Sequence, residues 1–442
     1  MILAKGNRES VIVKKRLSNF ANLLSTIMLL QFILIFICCV FILYRSGIGK
    51  KSGLHYMGMA TLLILKVTAG FILFKITSQS VEYNDYYRNN ALGYEEGWYL
   101  KHDLPEYFNE FLRNTRSDYG NFFGSMDSYW NDLGEKFLLK ILGIFSLFTH
   151  NNYLLNSIFI NAISLFGGLA LFVVFININP GKKFAALCCS ILLPSVIIFS
   201  SGIHKDALIY SLTGIFSYCL YFGTEQKFSA KRLSGLVLSW VLILLIRNHT
   251  ALLLLPGALI YFINRRFHIR LRSIFMVFFI GLIAGSVMLQ IAKPSASPLM
   301  ILAKKQQSFM DEMPGNSPLD FVKLNGDAAS FVKSIPLAVY NGFIQPAFYP
   351  STDIKINFFR LEILIYLLAV IFMLMKAKNT FFHHYYIYCL MFAIAGIFIA
   401  SLTVQNLGTL IRYRSLYLPF FLYPIIRNLN ISFKYIRNFF RV

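Results

Sequence analysis

The chain has 442 residues, 57% hydrophobic and only 14% charged, with a mean hydropathy of +0.59. That composition excludes a soluble globular domain, and long runs apolar on every face exclude a transmembrane β-barrel, whose strands alternate every second residue. The formal charge of +22, from 42 Lys/Arg against 20 Asp/Glu, is in such a chain first a matter of membrane topology, and nucleic acid is not expected as a partner.

A bilayer needs about 20 apolar residues per helix. Windows of that kind predict an all-α polytopic membrane protein of about 11 transmembrane helices, at 24–44, 57–76, 154–176, 183–200, 207–223, 233–246, 250–263, 273–292, 358–375, 383–403 and 415–430. The windows 233–246 and 250–263 are short for a perpendicular span, so they extend into their polar flanks or are partly re-entrant. Residues 1–430 read as one transmembrane domain and 431–442 as a basic cytoplasmic tail. The first apolar run is too long for a signal-peptide core and is read as retained. Cys38, Cys39, Cys188, Cys189, Cys219 and Cys389 all fall in apolar runs without zinc or disulfide spacing, and read as buried hydrophobes.

Alternate loops orient the chain. "NPGKK", "TEQKFSAKR", "NRRFHIRLR", "MKAKN" and "FKYIRNFFRV" hold two, three, four, two and three Lys/Arg, which places them in the cytoplasm. A fully crossing 24–44 and 57–76 would put the basic N-terminus outside, so one of these two segments is expected to cross differently or not at all. The opposite face then collects the long first loop 77–153, "SSGIHKD", "RNHT", the second long loop 293–357 and "NLGTLIRYR". Loops this long usually carry function. The first is crowded with aromatics from Tyr83 to Trp130, which predicts helices lying at the headgroup level.

Basic residues at outward helix ends oppose the topological bias and need a reason. A guanidinium fork matches phosphate oxygens and keeps its charge at any relevant pH, so Arg247, Arg412, Arg414 and Lys205, with His204 and His249, are candidates for holding a lipid phosphate or pyrophosphate. Each has a plainer alternative: single cations snorkel to headgroups, and most histidines are simply hydrogen-bonded. Arg412 and Arg414 are two apart, and converge on one ligand only if their segment is extended or just entering its helix. Glu82 and Asp85, three apart, would share a helical face, as acid/base work or metal binding needs. His383 and His384 read as an interfacial anchor.

An aspartate followed by paired aromatics in the first loop, then a helix bearing Asn156 and Asn161, then the helix end "SSGIHKD", resembles the GT-C superfamily of integral-membrane glycosyltransferases. "IPLAVYNGFIQPAFYP" and "NLGTLIRYRSLYLPF" look like segments of bacterial envelope-polysaccharide proteins. The resemblance implies a polyprenyl-(pyro)phosphate-linked sugar donor, a glycan or lipid acceptor, and a multi-pass enzyme of a bacterial inner membrane with its site facing outward. It makes Asp85 the first-loop acid that serves as base or metal ligand, with Glu82 as its companion. The loop has no Asp-x-Asp, so a divalent metal ion stands as an optional cofactor. The alternatives are a polysaccharide polymerase, which uses arginines and no metal, and a lipid-linked oligosaccharide flippase, which would place its charges deeper in the helices.

Overall fold

A computed structural model describes residues 26–77, 85–112, 129–294, 297–311, 316–375 and 383–427. In chain order the helices are α1 (Thr26–Arg45), α2 (Gly47–Ser52), α3 (Tyr56–Thr77), α4 (Asp85–His102), α5 (Leu104–Leu112), α6 (Tyr129–Thr149), α7 (Tyr153–Ile178), α8 (Lys183–Leu187) and α9 (Pro194–Phe199). They continue as α10 (Lys205–Gln226), α11 (Ala230–Ile246), α12 (Asn248–Phe267), α13 (Leu271–Ala292), α14 (Pro298–Asp311), α15 (Ala328–Phe343), α16 (Ile354–Met375), α17 (Tyr385–Thr403) and α18 (Leu407–Ile426). Among the described residues there is no strand, only an isolated antiparallel bridge between Pro318 and Asn406.

Seven of the described helices, α1, α3, α7, α10, α13, α16 and α17, are long and apolar enough to cross a membrane. Burial sorts them into layers: 78% of the apolar window is buried in α7 and in α10, against 6% in α13 and 11% in α16. The first pair is the hub and the second faces outward. Small residues let the hub close. A Cβ on Gly167 would stand 2.1 Å from the Ser211 Cα, and one on Gly214 would stand 2.1 Å from the Gly167 carbonyl oxygen, so the α7 and α10 backbones touch directly.

Three expectations change shape. The window 183–200 follows a 3₁₀ turn at Pro180–Lys182 and is broken into α8, a π-helical turn at Cys188–Leu192, and α9. Pro194 cannot donate to the helix before it, so the chain restarts there with proline in the first turn. The first long loop carries helices, as its aromatics predict, in α4, α5 and α6, and the second, for which none is expected from the sequence, carries α14 and α15. Finally, α18 begins at Leu407, capped by the Asn406 side chain accepting from Thr409 N–H. The polar stretch before residue 415 is thus helical. The short windows do extend into their flanks, as α11 and α12.

Candidate functional site

The centre of the site is the chain reversal between α9 and α10, Ser200 to His204. Its backbone is pinned by polar side chains rising from two membrane-length helices. Asn161 Oδ1 of α7 accepts from Gly202 N–H at 3.1 Å, and Ser164 Oγ donates to the Ser200 carbonyl at 2.7 Å. Lys66 of α3, only 2% exposed, donates to the same carbonyl at 3.0 Å and to Ser200 Oγ at 2.6 Å. Gly202 adopts φ +78, and a Cβ on facing Gly70 would stand 2.6 Å from Gly202 N, so only glycine on α3 admits the reversal.

The reversal delivers His204 as the N-cap of α10. Its Nδ1 accepts from Asp206 N–H at 3.1 Å, which leaves Nε2 to carry hydrogen toward Asp85 Oδ2, 3.7 Å away at the start of α4. Asp85 is half-exposed, with 56% of its side chain open to solvent. The His204 imidazole, first by hydrogen bonding and then by charge, with Arg412 and Lys205 adding to it, holds the Asp85 carboxyl below its ordinary range in spite of desolvation.

Asp206 is the hub. It lies in the first turn of α10 and is buried. Arg247, in the break between α11 and α12, pairs with its Oδ1. Arg412 Nε of α18 stands 2.9 Å from its Oδ2, and His204 Nδ1 3.0 Å from the same oxygen. The Arg412 contact is close enough for an ion pair but not aligned as a hydrogen bond. Tyr413 lies between the two arginines, 4.7 Å from the Arg247 guanidinium carbon and 5.6 Å from that of Arg412. Among the described residues the terminal nitrogens of Arg412 donate no hydrogen bond, and Arg247 spends one nitrogen on Asp206. Lys205, Arg247 and Arg412 face Asp85 and Asp206, with Glu135 also acting on Lys205.

A cleft opens beside this cluster between α12, α14, α17 and α18. One end is basic, with Arg247 and Lys305 beside His249, whose imidazole is held uncharged by burial and by those cations; the rest is apolar and aromatic, with Ile301, Leu302, Phe309, Ile399, Tyr413 and Tyr417, and no carboxylate lines it. The bridge between Pro318 and Asn406 ties the second long loop to the start of α18 at the same end of the bundle, through Leu319 N–H to Gln405 O and Leu407 N–H to Ser317 O, both 2.8 Å.

The structure therefore brings together Asp85, His204, Lys205, Arg247, His249 and Arg412. It does not bring Arg414. Both arginines lie inside α18, where residues two apart diverge by about 200°. Buried Arg414 turns away, donating to the Gly342 and Gln345 carbonyls at 3.1 and 2.6 Å on the side of Glu362. Convergence of Arg412 and Arg414 on one ligand is thereby corrected. Glu82 lies outside the described residues. Among them no three His, Cys, Asp or Glu gather as a metal site, and Asp85 and Asp206 flank opposite edges of the His204 ring instead of meeting at a point. The described residues do not fit a metal ion.

Sequence reading missed Asp206 as hub, Lys305, Tyr413 and Lys66. Only Lys66 left a clear signal, a single charge inside the run "TLLILKVTAGF". Comparison with protein-family models, with characterised proteins and with solved structures finds no match to this chain.

Proposed function

We propose that this chain is a membrane glycosyltransferase that moves a sugar from a polyprenyl-(pyro)phosphate donor to an envelope glycan or lipid acceptor, on the outward face of a bacterial inner membrane. The observation that carries the reading is the pairing of two arginines with unspent donors, Arg247 and Arg412, with a cleft basic at one end and apolar along the rest. That is the chemistry of a phosphate head joined to a hydrocarbon tail. The family resemblance of the loop and helix ends points the same way.

In this reading the acceptor hydroxyl attacks the anomeric carbon of the donor with inversion. The bond from that carbon to the phosphate oxygen breaks, and the electron pair leaves on the phosphate. Arg247 and Arg412, with Lys305 at the cleft and Lys205 behind them, meet that negative charge, and His249 offers a neutral ring beside them. Asp85, beside His204, orients the acceptor. Its carboxyl is held low, so it is a weak base, and it takes the hydroxyl proton only as the forming bond acidifies it. His204 fixes the position of Asp85 and Arg414 supports the fold of α18 around the site.

The weak basicity of Asp85 also favours a second reading, a polysaccharide polymerase that relies on arginines and joins oligosaccharide repeats en bloc. The test is product formation by the purified chain in liposomes supplied with a polyprenyl-linked sugar. Asp85→Asn is expected to abolish product while expression and membrane insertion stay normal. Near-normal product from that variant removes Asp85 from the site. Products growing by whole oligosaccharide repeats, and not by single sugars, replace the transferase with the polymerase.

A further inference from the structure

We infer that Asp206 is a resident counter-ion occupying the place of the substrate phosphate, and that the (pyro)phosphate binds by displacing it from the two arginines. The inference rests on the reading above, that this cluster receives a (pyro)phosphate. Asp206 is 9% exposed and offers two oxygens to two guanidinium groups. One carboxylate cannot satisfy two forks. The Arg412 contact is misaligned at 2.9 Å, the terminal nitrogens of Arg412 find no acceptor among the described residues, and its side chain keeps 23% of its surface open. A resident anion with fewer oxygens and less charge than the arginines can accommodate is what a placeholder looks like.

A phosphate group carries more charge and more acceptor oxygens, so it matches two forks where a carboxylate matches one. Asp206 does not become an orphan when it gives them up, because the carboxylate sits in the first turn of α10, where the exposed amides favour an anion, and the Lys205 ammonium acts on it from the neighbouring position. The exchange makes and breaks only ion pairs. Before the donor arrives, Asp206 keeps Arg247 and Arg412 from facing each other bare beside the Tyr413 ring.

A structural carboxylate and a placeholder predict opposite signs. Removing a structural anion from two arginines disorders them and weakens phosphate binding. Removing a competitor strengthens it. In detergent-solubilised full-length protein, Asp206→Asn is expected to bind farnesyl pyrophosphate roughly ten-fold more tightly than wild type, the effect of one like charge in a partly buried site. Inorganic pyrophosphate, the second probe, should gain by the same factor from a weaker start, since it lacks the tail that fills the cleft. A gain confined to inorganic pyrophosphate means that a free anion, not a lipid headgroup, displaces Asp206, and overturns the inference. Equal or weaker binding of both probes to Asp206→Asn, with wild type binding well, also overturns it and leaves the phosphate reading standing. Failure of wild type to bind either probe removes the reading and the inference together.

Where Asp206→Asn does not fold, an infrared difference spectrum of ¹³C-aspartate-labelled Asp85→Asn protein gives the answer. That background deletes the other aspartate of the cluster. A carboxylate band that shifts on adding farnesyl pyrophosphate reports Asp206 leaving its guanidinium partners; an unmoved spectrum overturns the inference.

Discussion

Helix α10 is tied at each of its ends by a carboxylate to an arginine at the corresponding end of α12, Arg265 in its last turn and Arg247 just before its first, with a histidine nearby, and the two joints are built differently. At the far end Glu225 takes Arg265 in a fork: Nε donates to both carboxylate oxygens at 3.1 Å and a terminal nitrogen to Oε2 at 2.8 Å. Tyr261 donates to the same carboxylate at 2.9 Å, and His383 lies 4.0 Å off. One anion meets one fork in a geometry that is complete, and Arg265 is 45% exposed to water. At the near end Asp206 meets Arg247 and Arg412 together, buried and partly misaligned, with donors left over. A joint built only to hold two helices satisfies its hydrogen bonds. The joint at Asp206 has more cationic donors than it can use, and that surplus marks it as a place where something else binds.

The contrast can be broken most severely at Arg247. Arg247→Met leaves Asp206 buried against a single misaligned guanidinium, and is expected to lower unfolding stability by about 3 kcal/mol and to abolish pyrophosphate binding. A denaturant titration beside a binding isotherm checks both, and a stable variant with intact binding would put the near joint in the same class as the far one. The next largest effect is at Gly70→Ala. Its new methyl meets the Gly202 backbone at 2.6 Å, so the reversal carrying His204 must move, at about 1 to 3 kcal/mol of stability and with loss of product. Retained product would mean that the reversal has room to spare.

Arg412→Lys keeps the charge and loses the fork, so donor affinity should fall by roughly 1.5 to 2 kcal/mol, about ten- to thirty-fold. Arg414→Lys, pointing to the other side of α18, should leave affinity unchanged, and equal losses from both would restore their convergence on one ligand. Glu225→Gln is expected to change stability by less than about 1 kcal/mol, because its partner is half in water, and not to change binding at all. The smallest expected effect is a flat line. Because the folded Asp85 carboxyl titrates below its unfolded value of about 4, its contact with His204 contributes fully at neutral pH and is lost only as pH falls through the folded value. The rate of transfer should therefore show no limb from this group between about pH 5 and 7, whereas a limb there that moves in Asp85→Glu would contradict the placement.

Much of this was legible in the sequence, for reasons specific to each element. Apolar runs with clean polar ends, such as those of α3, α7, α10 and α17, appear close to where hydropathy puts them, because a lipid-length helix is fixed by composition alone. The start of α18 was hidden, since "NLGTLIRYR" is polar enough to look like a loop although its asparagine is a capping residue. That single misreading of a boundary is what misplaced Arg414. The break in 183–200 had its proline in plain view, but a π-helical turn has no sequence signature of its own. The ionisable cluster at "SSGIHKD" was legible as a site. That Asp206 would be its hub was not, because Arg247 and Arg412 reach it from helices 41 residues or more along the chain, and pairing at that range belongs to packing.

Lys66 has a consequence for how the protein is made. Its ammonium is satisfied by Ser200, 134 residues further along the chain. At roughly 5 to 20 residues per second the ribosome takes on the order of ten seconds to supply that partner. During this interval α3 carries a bare cation among lipids, so it should linger near the membrane surface or beside the insertion machinery until α9 and the reversal emerge. A ribosome-arrested chain ending before residue 200 is accordingly expected to leave α3 more accessible to water-borne reagents than the full chain does, and Lys66→Met should erase the difference.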